Sequence, residues 1–185
     1  HLMKSEVRAI AEQQKLPSAK RKDSQGICFL GKINYNDFIE RYLGKRTGKI
    51  VELETGKVLG KHNGYWFHTI GQRKGLGIAA GHPVFVADII PETNEVVIGE
   101  NEDIFKTRLV ADRTNLMAID RLDGEMRVMA KIRYAHKGCM CTIKMAGEDR
   151  IEVLFDEPVR AMTKGQAVVF YKDDYIVGGG TICEF

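Results

Sequence analysis

No stretch of the 185-residue chain approaches the ~18 consecutive apolar residues that a membrane-crossing helix needs, so no transmembrane helix is expected. Nor does it open with a basic segment leading into a short apolar run, so no secretory signal is visible. Cysteine is scarce. Cys28, Cys139, Cys141 and Cys183 are too few and too unevenly spaced for a disulfide-built secreted domain, and free thiols in a cytosolic protein fit better. Charge of one sign is not in large excess either. Lys and Arg number 28 against 25 Asp and Glu, a formal net charge of +3, which excludes a histone-like tail and leaves the placement of charge as the informative quantity. Hydrophobic residues at 44% and charged residues at 29% exclude disorder throughout. Internal repeats and low-complexity segments are missing.

What is present begins with a short helix, in which Met3, Val7 and Ile10 fall at i, i+4 and i+7 before Pro17 and Ser18 end it. The basic run Lys20-Arg21-Lys22 follows. A second helix is predicted over 36–43, with Asn34 or Asn36 as its cap. Beyond Gly44 the texture becomes β. Short strands are predicted over 49–53, 57–59, 65–70, 83–90 and 95–99, with Pro91-Glu92-Thr93-Asn94 as a hairpin turn. A polar stretch over 101–108 separates these from strands over 126–136, 140–144, 151–155, 166–171 and 175–182. This predicts a small barrel or sandwich in the C-terminal third, with a domain boundary near 101–110.

The positive charge is segregated. Residues 55–87 contain Lys57, Lys61, Arg73 and Lys74 and no acid, together with His62, His68, His82, Tyr65, Trp66, Phe67 and seven glycines. Residues 126–147 are also free of acid and carry Arg127, Lys131, Arg133, Lys137 and Lys144, with Tyr134 and His136 among them. Two such gaps fit a polyanion, whose phosphates attract cations while exposed aromatics stack on unpaired bases. They equally fit strands that place a few lysines on a wet face. Gly71-Gln72-Arg73-Lys74-Gly75-Leu76-Gly77 allows positive φ and close backbone approach, but it has neither the Gly-Lys-Ser/Thr ending of a P-loop nor dinucleotide-binding spacing. Contact with phosphate and a tight structural turn are both open for it.

Cys28 lies between flexible glycines, Gly26 and Gly31, downstream of the basic run, which would favour its thiolate; a buried structural thiol between Ile27 and Phe29 is the alternative. Cys139 and Cys141 share one face of a strand. With Cys183 they lack the spacing of a zinc knuckle, and no metal site is expected. No His-Glu-x-x-His motif or nucleophile triad is recognisable.

The run Lys22-Asp23-Ser24-Gln25-Gly26-Ile27-Cys28-Phe29 resembles the tRNA-specific 2-thiouridylases. So do Gly60-Lys61-His62-Asn63-Gly64 and His68-Thr69-Ile70 followed by the 71–77 loop. Phe155-Asp156-Glu157-Pro158, Gly165-Gln166-Ala167-Val168-Val169-Phe170-Tyr171 and Gly178-Gly179-Gly180 continue the likeness in the same order. The resemblance covers essentially the whole chain. It implies a mainly β (α+β overall) architecture: an N-terminal helix, a small mixed central domain and a C-terminal six-stranded β-barrel resembling the second domain of elongation factor Tu. Residues 1–22 would be the trailing helix of an ATP-pyrophosphatase domain, 23–108 the central domain with the catalytic-cysteine loop, and 109–185 the tRNA-binding barrel. The family's Ser-Gly-Gly-x-Asp-Ser nucleotide loop and its first catalytic cysteine are not in this sequence. Together with the opening His1-Leu2-Met3, this reads as a C-terminal fragment or an added tail, expected to be inactive alone.

The activity implied is sulfur transfer to the wobble uridine of tRNA. ATP adenylates the uridine 2-oxygen, which otherwise leaves poorly, and a persulfide sulfur replaces it. Cys28 matches the persulfide-bearing cysteine. Arg133, Tyr134 and Gln166 match tRNA-contacting positions, and Arg73 and Lys74 are further candidates. The whole enzyme would use ATP and magnesium, this fragment no cofactor. Its partners would be the tRNA anticodon stem-loop and a sulfur donor such as a cysteine desulfurase or sulfur-relay protein, with no membrane, in the cytoplasm. Readings from other classes are a non-catalytic RNA-binding β-module with an incidental cysteine, a structural zinc module, and a tRNA methyltransferase, for which no glycine-rich S-adenosylmethionine loop is visible.

Overall fold

The computed structural model describes residues 2–20 and 34–185. Contacts divide the chain into two units, one ending at Tyr42 and one running from Leu43 to Phe185. In the first unit, helix α1 spans Lys4–Gln13. Its start is closed by the Glu6 carboxylate, which accepts the Met3 N–H at 2.6 Å. Helix α2 spans Tyr35–Leu43, and the Asn34 side chain accepts the Asn36 N–H at 3.0 Å, so Asn34 is its cap.

The second unit begins with a four-stranded sheet. Strands β1 (Gly48–Glu52) and β2 (Val58–His62) pair antiparallel. Strands β3 (Phe85–Ile90) and β4 (Glu95–Gly99) form a hairpin, and β4 runs parallel to β1, giving the order β2-β1-β4-β3. Ile50, Val86, Val96 and Ile98 fill its core with Leu76. The hairpin turn ends at the buried Asn94, whose φ of +56° suits asparagine and whose amide donates to the carbonyls of Arg46 and Thr47. The expected strand over 65–70 is not one. Tyr65–Phe67 is a 3-10 turn entered through Gly64 at φ +147°, which reverses the chain after β2.

The rest is a closed barrel of six antiparallel strands: β5 (Phe105–Leu116), β6 (Glu125–Lys131), β7 (Cys139–Gly147), β8 (Arg150–Arg160), β9 (Ala167–Lys172) and β10 (Tyr175–Glu184), in the order β10-β5-β8-β7-β6-β9. Alternate residues point inward, as strand geometry requires. Leu109 and Ala111, Val128 and Ala130, Cys141 and Ile143, Ile151 and Val153, and Val168 and Phe170 make one continuous core. The mainly β architecture and six-stranded barrel agree with expectation. Strand β5 is the exception: its first residues lie in the stretch over 101–108 read as a polar connection, yet it pairs with both β8 and β10 and closes the barrel.

Candidate nucleic-acid interface

Arg133 and Tyr134 sit in the loop between β6 and β7. The Arg133 guanidinium donates to two backbone carbonyls at the end of β8, Nη1 to Ala161 at 3.2 Å and Nη2 to Arg160 at 3.2 Å. No carboxylate neutralises it among the described residues. Tyr134 is fully exposed, at 103% relative accessibility, so its ring is open to stacking. His136 accepts the Ile132 N–H at 3.4 Å; burial and then the charges of Arg133 and Lys131 lower its pKa. The loop's charge therefore comes from its Arg and Lys residues.

Ala161 holds Arg133 on one side and packs against the start of the 71–77 loop on the other. It has φ +54°, and its N–H donates to the Ile104 carbonyl at 2.7 Å. Its own carbonyl accepts the Thr163 hydroxyl at 3.3 Å as well as Arg133. Gln166 ends the same short loop: its N–H donates to the Thr163 carbonyl, its carbonyl accepts the Ile182 N–H, and its side chain is exposed. Gly71 packs against Ala161 from the sheet. A Cβ built on Gly71 would lie 2.7 Å from the Ala161 Cβ, and the glycine has φ +81°.

The 71–77 loop is held by its backbone. The Gly71 N–H donates to the Val86 carbonyl at 2.7 Å and the Val86 N–H to the Gln72 carbonyl at 2.9 Å, extending the edge of β3. The Gln72 side chain accepts the Thr69 N–H and donates to the Lys74 carbonyl. Of the two readings left open by the sequence, the tight structural turn is observed in the backbone. It presents Arg73 and Lys74 to solvent, without a partner among the described residues.

Three other cations of the 126–147 window are committed elsewhere. Arg127 makes a two-pronged ion pair with Asp156 at 2.7 and 2.5 Å and also donates to Thr142. Lys144 pairs with Glu152 at 3.1 Å. Lys131 lies 5.5 Å above the Tyr171 ring. The acids come from β8, adjacent to β7 in the barrel, so a gap in the sequence is not a gap on the surface. Tyr65, Trp66 and Phe67 are half-buried rather than freely exposed, and Tyr65 packs on the core of the sheet. His62 and His68 lie behind them with ring centroids 5.3 Å apart, both held below the usual histidine pKa chiefly by burial.

Cys28, with the 23–31 segment, lies outside the described residues. Cys141 is fully buried, and burial pushes its thiol up to about 12, which leaves little thiolate near neutral pH. Cys139 and Cys183 are half-buried and donate weakly to carbonyls. No group of three potential metal ligands occurs among the described residues, and the 71–77 loop lies along β3 instead of opening a helix as a phosphate-binding loop does. No helix among them is long and apolar enough to cross a membrane. Arg160 and Ala161 drew no attention in the sequence; the only signal was their place between Pro158 and Gly165, two residues of quoted motifs.

Three family models match the chain: a tRNA methyl transferase HUP domain over residues 1–32, a tRNA methyl transferase PRC-barrel domain over 36–100, and an aminomethyltransferase beta-barrel domain over 106–182. Curated relatives are called tRNA-specific 2-thiouridylase MnmA. The relative from Lachnoclostridium phytofermentans is 52% identical over 181 residues, 97% of this chain and 50% of the relative. That from Parabacteroides distasonis is 53% identical over 194 aligned positions, 100% of this chain and 53% of the relative. That from Clostridioides difficile is 47% identical over 180 residues, 97% and 50%. The chain spans about half the length of these relatives. Methyl transfer figures in the titles of the family models; the relatives are named for thiolation.

Proposed function

Because the chain belongs to the family of tRNA-specific 2-thiouridylases, we propose that residues 43–185 bind the anticodon stem-loop of tRNA for a whole protein that transfers sulfur to the wobble uridine. One observation carries the reading. Arg133 grips the carbonyls of Arg160 and Ala161, Gly71 at the start of the loop presenting Arg73 and Lys74 packs on Ala161, and these cations face no carboxylate among the described residues, whereas Arg127 and Lys144 are paired. Unpaired cations release counterions on meeting phosphate, and the free Tyr134 ring offers a stacking platform beside them.

Cys28 carries the persulfide in this reading, loaded by a sulfur donor such as a cysteine desulfurase or relay protein in the cytoplasm. Attack by its terminal sulfur on the adenylated uridine carbon forms the new C–S bond and breaks the C–O bond, expelling AMP with the old oxygen. A second thiol then attacks the Cys28 sulfur, breaking the sulfur–sulfur bond so that the terminal sulfur stays on the uridine and the two cysteines are left as a disulfide. ATP supplies the activation of the uridine oxygen, in a part of the relatives that this chain does not match. The chain alone then binds RNA and turns over nothing.

The test is binding of an anticodon stem-loop RNA across a salt series. Arg133→Glu is expected to weaken binding by about tenfold or more and to flatten the salt dependence; an unchanged slope removes Arg133 from the interface. In the full-length protein, Cys28→Ser abolishes thiolation while RNA binding survives, and retained thiolation overturns the role of Cys28.

A further inference from the structure

We propose that Arg160 is a positioning residue for RNA binding: its side chain holds the 71–77 loop, while its backbone holds Arg133. The proposal rests on the RNA-binding reading above. The Arg160 guanidinium donates through Nη2 to the Gly71 carbonyl at 3.4 Å and lies 5.5 Å over the Phe85 ring. Among the described residues it forms no ion pair. Its contacts are instead a peptide oxygen and an aromatic face, a combination suited to the planar, always-charged guanidinium and poorly matched by an ammonium. The contact joins the end of β8 to the start of the glycine loop across 89 positions of sequence.

The consequence for each loop differs. On the sheet side, the tethered carbonyl belongs to the 71–72 peptide, which fixes the direction in which the chain leaves toward Arg73 and Lys74. The Gln72 bracket onto Thr69 and Lys74 transmits that direction two residues further. On the barrel side, Arg133 Nη2 is received by the Arg160 carbonyl, which any residue at that position supplies. Removing the Arg160 side chain therefore loosens one loop, which keeps its bonds to Val86, and spares the other, a selectivity that general destabilisation would not reproduce.

The experiment uses amide hydrogen exchange of the chain and its affinity for an anticodon stem-loop RNA. In Arg160→Met, exchange is expected to accelerate over 71–77 and to stay unchanged over 132–138. Lys74→Ala, costing about threefold in affinity in the parent, should cost almost nothing in Arg160→Met, since the displaced lysine no longer contributes; Tyr134→Ala should cost the same in both backgrounds. Arg160→Lys should restore only part of the coupling. Equal cost of Lys74→Ala in the two backgrounds, or faster exchange in both loops alike, overturns the proposal. Should Arg160→Met fail to fold, Phe85→Leu removes the supporting ring and is read by the same two criteria. Absence of RNA binding by the parent chain overturns the binding reading and with it the role of Arg160 in RNA binding, while the exchange pattern reports separately whether the tether exists.

Discussion

Arg133 and Ala161, separated by 28 positions in sequence, are joined by a 3.2 Å hydrogen bond from Nη1 to the carbonyl oxygen. A second bond from Nη2 to the Arg160 carbonyl completes a two-point grip on the end of β8. A guanidinium has five N–H donors, so the grip orients the group without exhausting it, and the charge stays uncompensated. Arg127 shows the contrasting arrangement, with both prongs closed on Asp156; hydrogen bonding to that carboxylate raises the Arg127 pKa and lowers that of Asp156.

These two arginines should behave differently toward RNA although both lie in the same acid-free stretch of sequence. Arg133→Ala is expected to lower the slope of log K against log salt by about one and to weaken binding severalfold. Arg127→Ala should leave the slope unchanged within error. Fluorescence anisotropy with an anticodon stem-loop RNA at several salt concentrations measures both, and equal slopes for the two variants would show that pairing with Asp156 does not decide which arginine meets phosphate.

Gly71 and Gly77 both have positive φ, +81° and +69°, but only the first faces a neighbour. Gly71→Ala brings a methyl to 2.7 Å from the Ala161 Cβ in addition to the conformational strain, whereas Gly77→Ala meets nothing within 4 Å. Strain alone is worth about 1 kcal/mol, and a core-type clash adds about 1–3 kcal/mol. Urea unfolding should therefore show Gly71→Ala destabilised by roughly 2–4 kcal/mol and Gly77→Ala by about 1. Similar losses for both would mean that the sheet and barrel do not meet at Gly71 as closely as described.

The outlines of this arrangement were readable in the sequence where pattern is local. Both helices, the hairpin of β3 and β4, and most barrel strands announce themselves through apolar period and turn residues. Strand β5 did not, because Lys106, Arg108, Asp112 and Arg113 crowd its wet face, and a register irregularity between Lys106 and Arg108 interrupts the alternation at its start. Tyr65–Phe67 misled in the opposite direction: aromatic residues favour strands by propensity, but the glycine before them turns the chain. Which cations are free was not legible at all. Lys144 faces Glu152 only because β7 and β8 pair in that register, and cross-strand neighbours are set by tertiary pairing. The Arg160 tether is invisible for the same reason.

The thiols should separate by environment. Cys141, with its pKa pushed to about 12 by burial, is expected to resist iodoacetamide at neutral pH until the chain unfolds. The proposed role of Cys28 requires the opposite, rapid labelling that Cys28→Ser removes. Mass spectrometry of labelled peptides over a time course reads all four sites. Cys28 labelling no faster than Cys139 and Cys183 would favour a structural thiol, and with it the RNA-binding module that has no catalytic cysteine.

Acidification should weaken the second unit through His68 and His62. Burial holds both pKa values below 6.5, and for His68 a protonated His62 adds a like-charge repulsion that opposes protonating both rings. In the unfolded chain both rings titrate near 6.5, so between that pH and the lower folded values the unfolded state binds more protons. The sign follows: stability is fully present above about pH 6.5 and is lost as pH falls toward the folded pKa values, below which the loss levels off. The rings meet edge-on with centroids 5.3 Å apart, His62 Nδ1 accepts the Gly64 N–H, and His68 Nδ1 has no hydrogen-bond partner among the described residues. Replacing the half-buried His68 removes its own titration and the repulsion together, whereas replacing the buried His62 would also disturb its packing beside Gly48. His68→Gln is therefore the informative variant. Thermal unfolding between pH 7.5 and 5 should show a falling midpoint for the parent chain and a shallower fall for His68→Gln. Parallel curves for the two would assign the acid sensitivity to His62 and to His136, whose pKa is also lowered by burial and by the charges of Arg133 and Lys131; Glu152 and Asp149, held below the usual carboxylate range by their hydrogen bonds to Arg108 and Thr114, titrate outside this window.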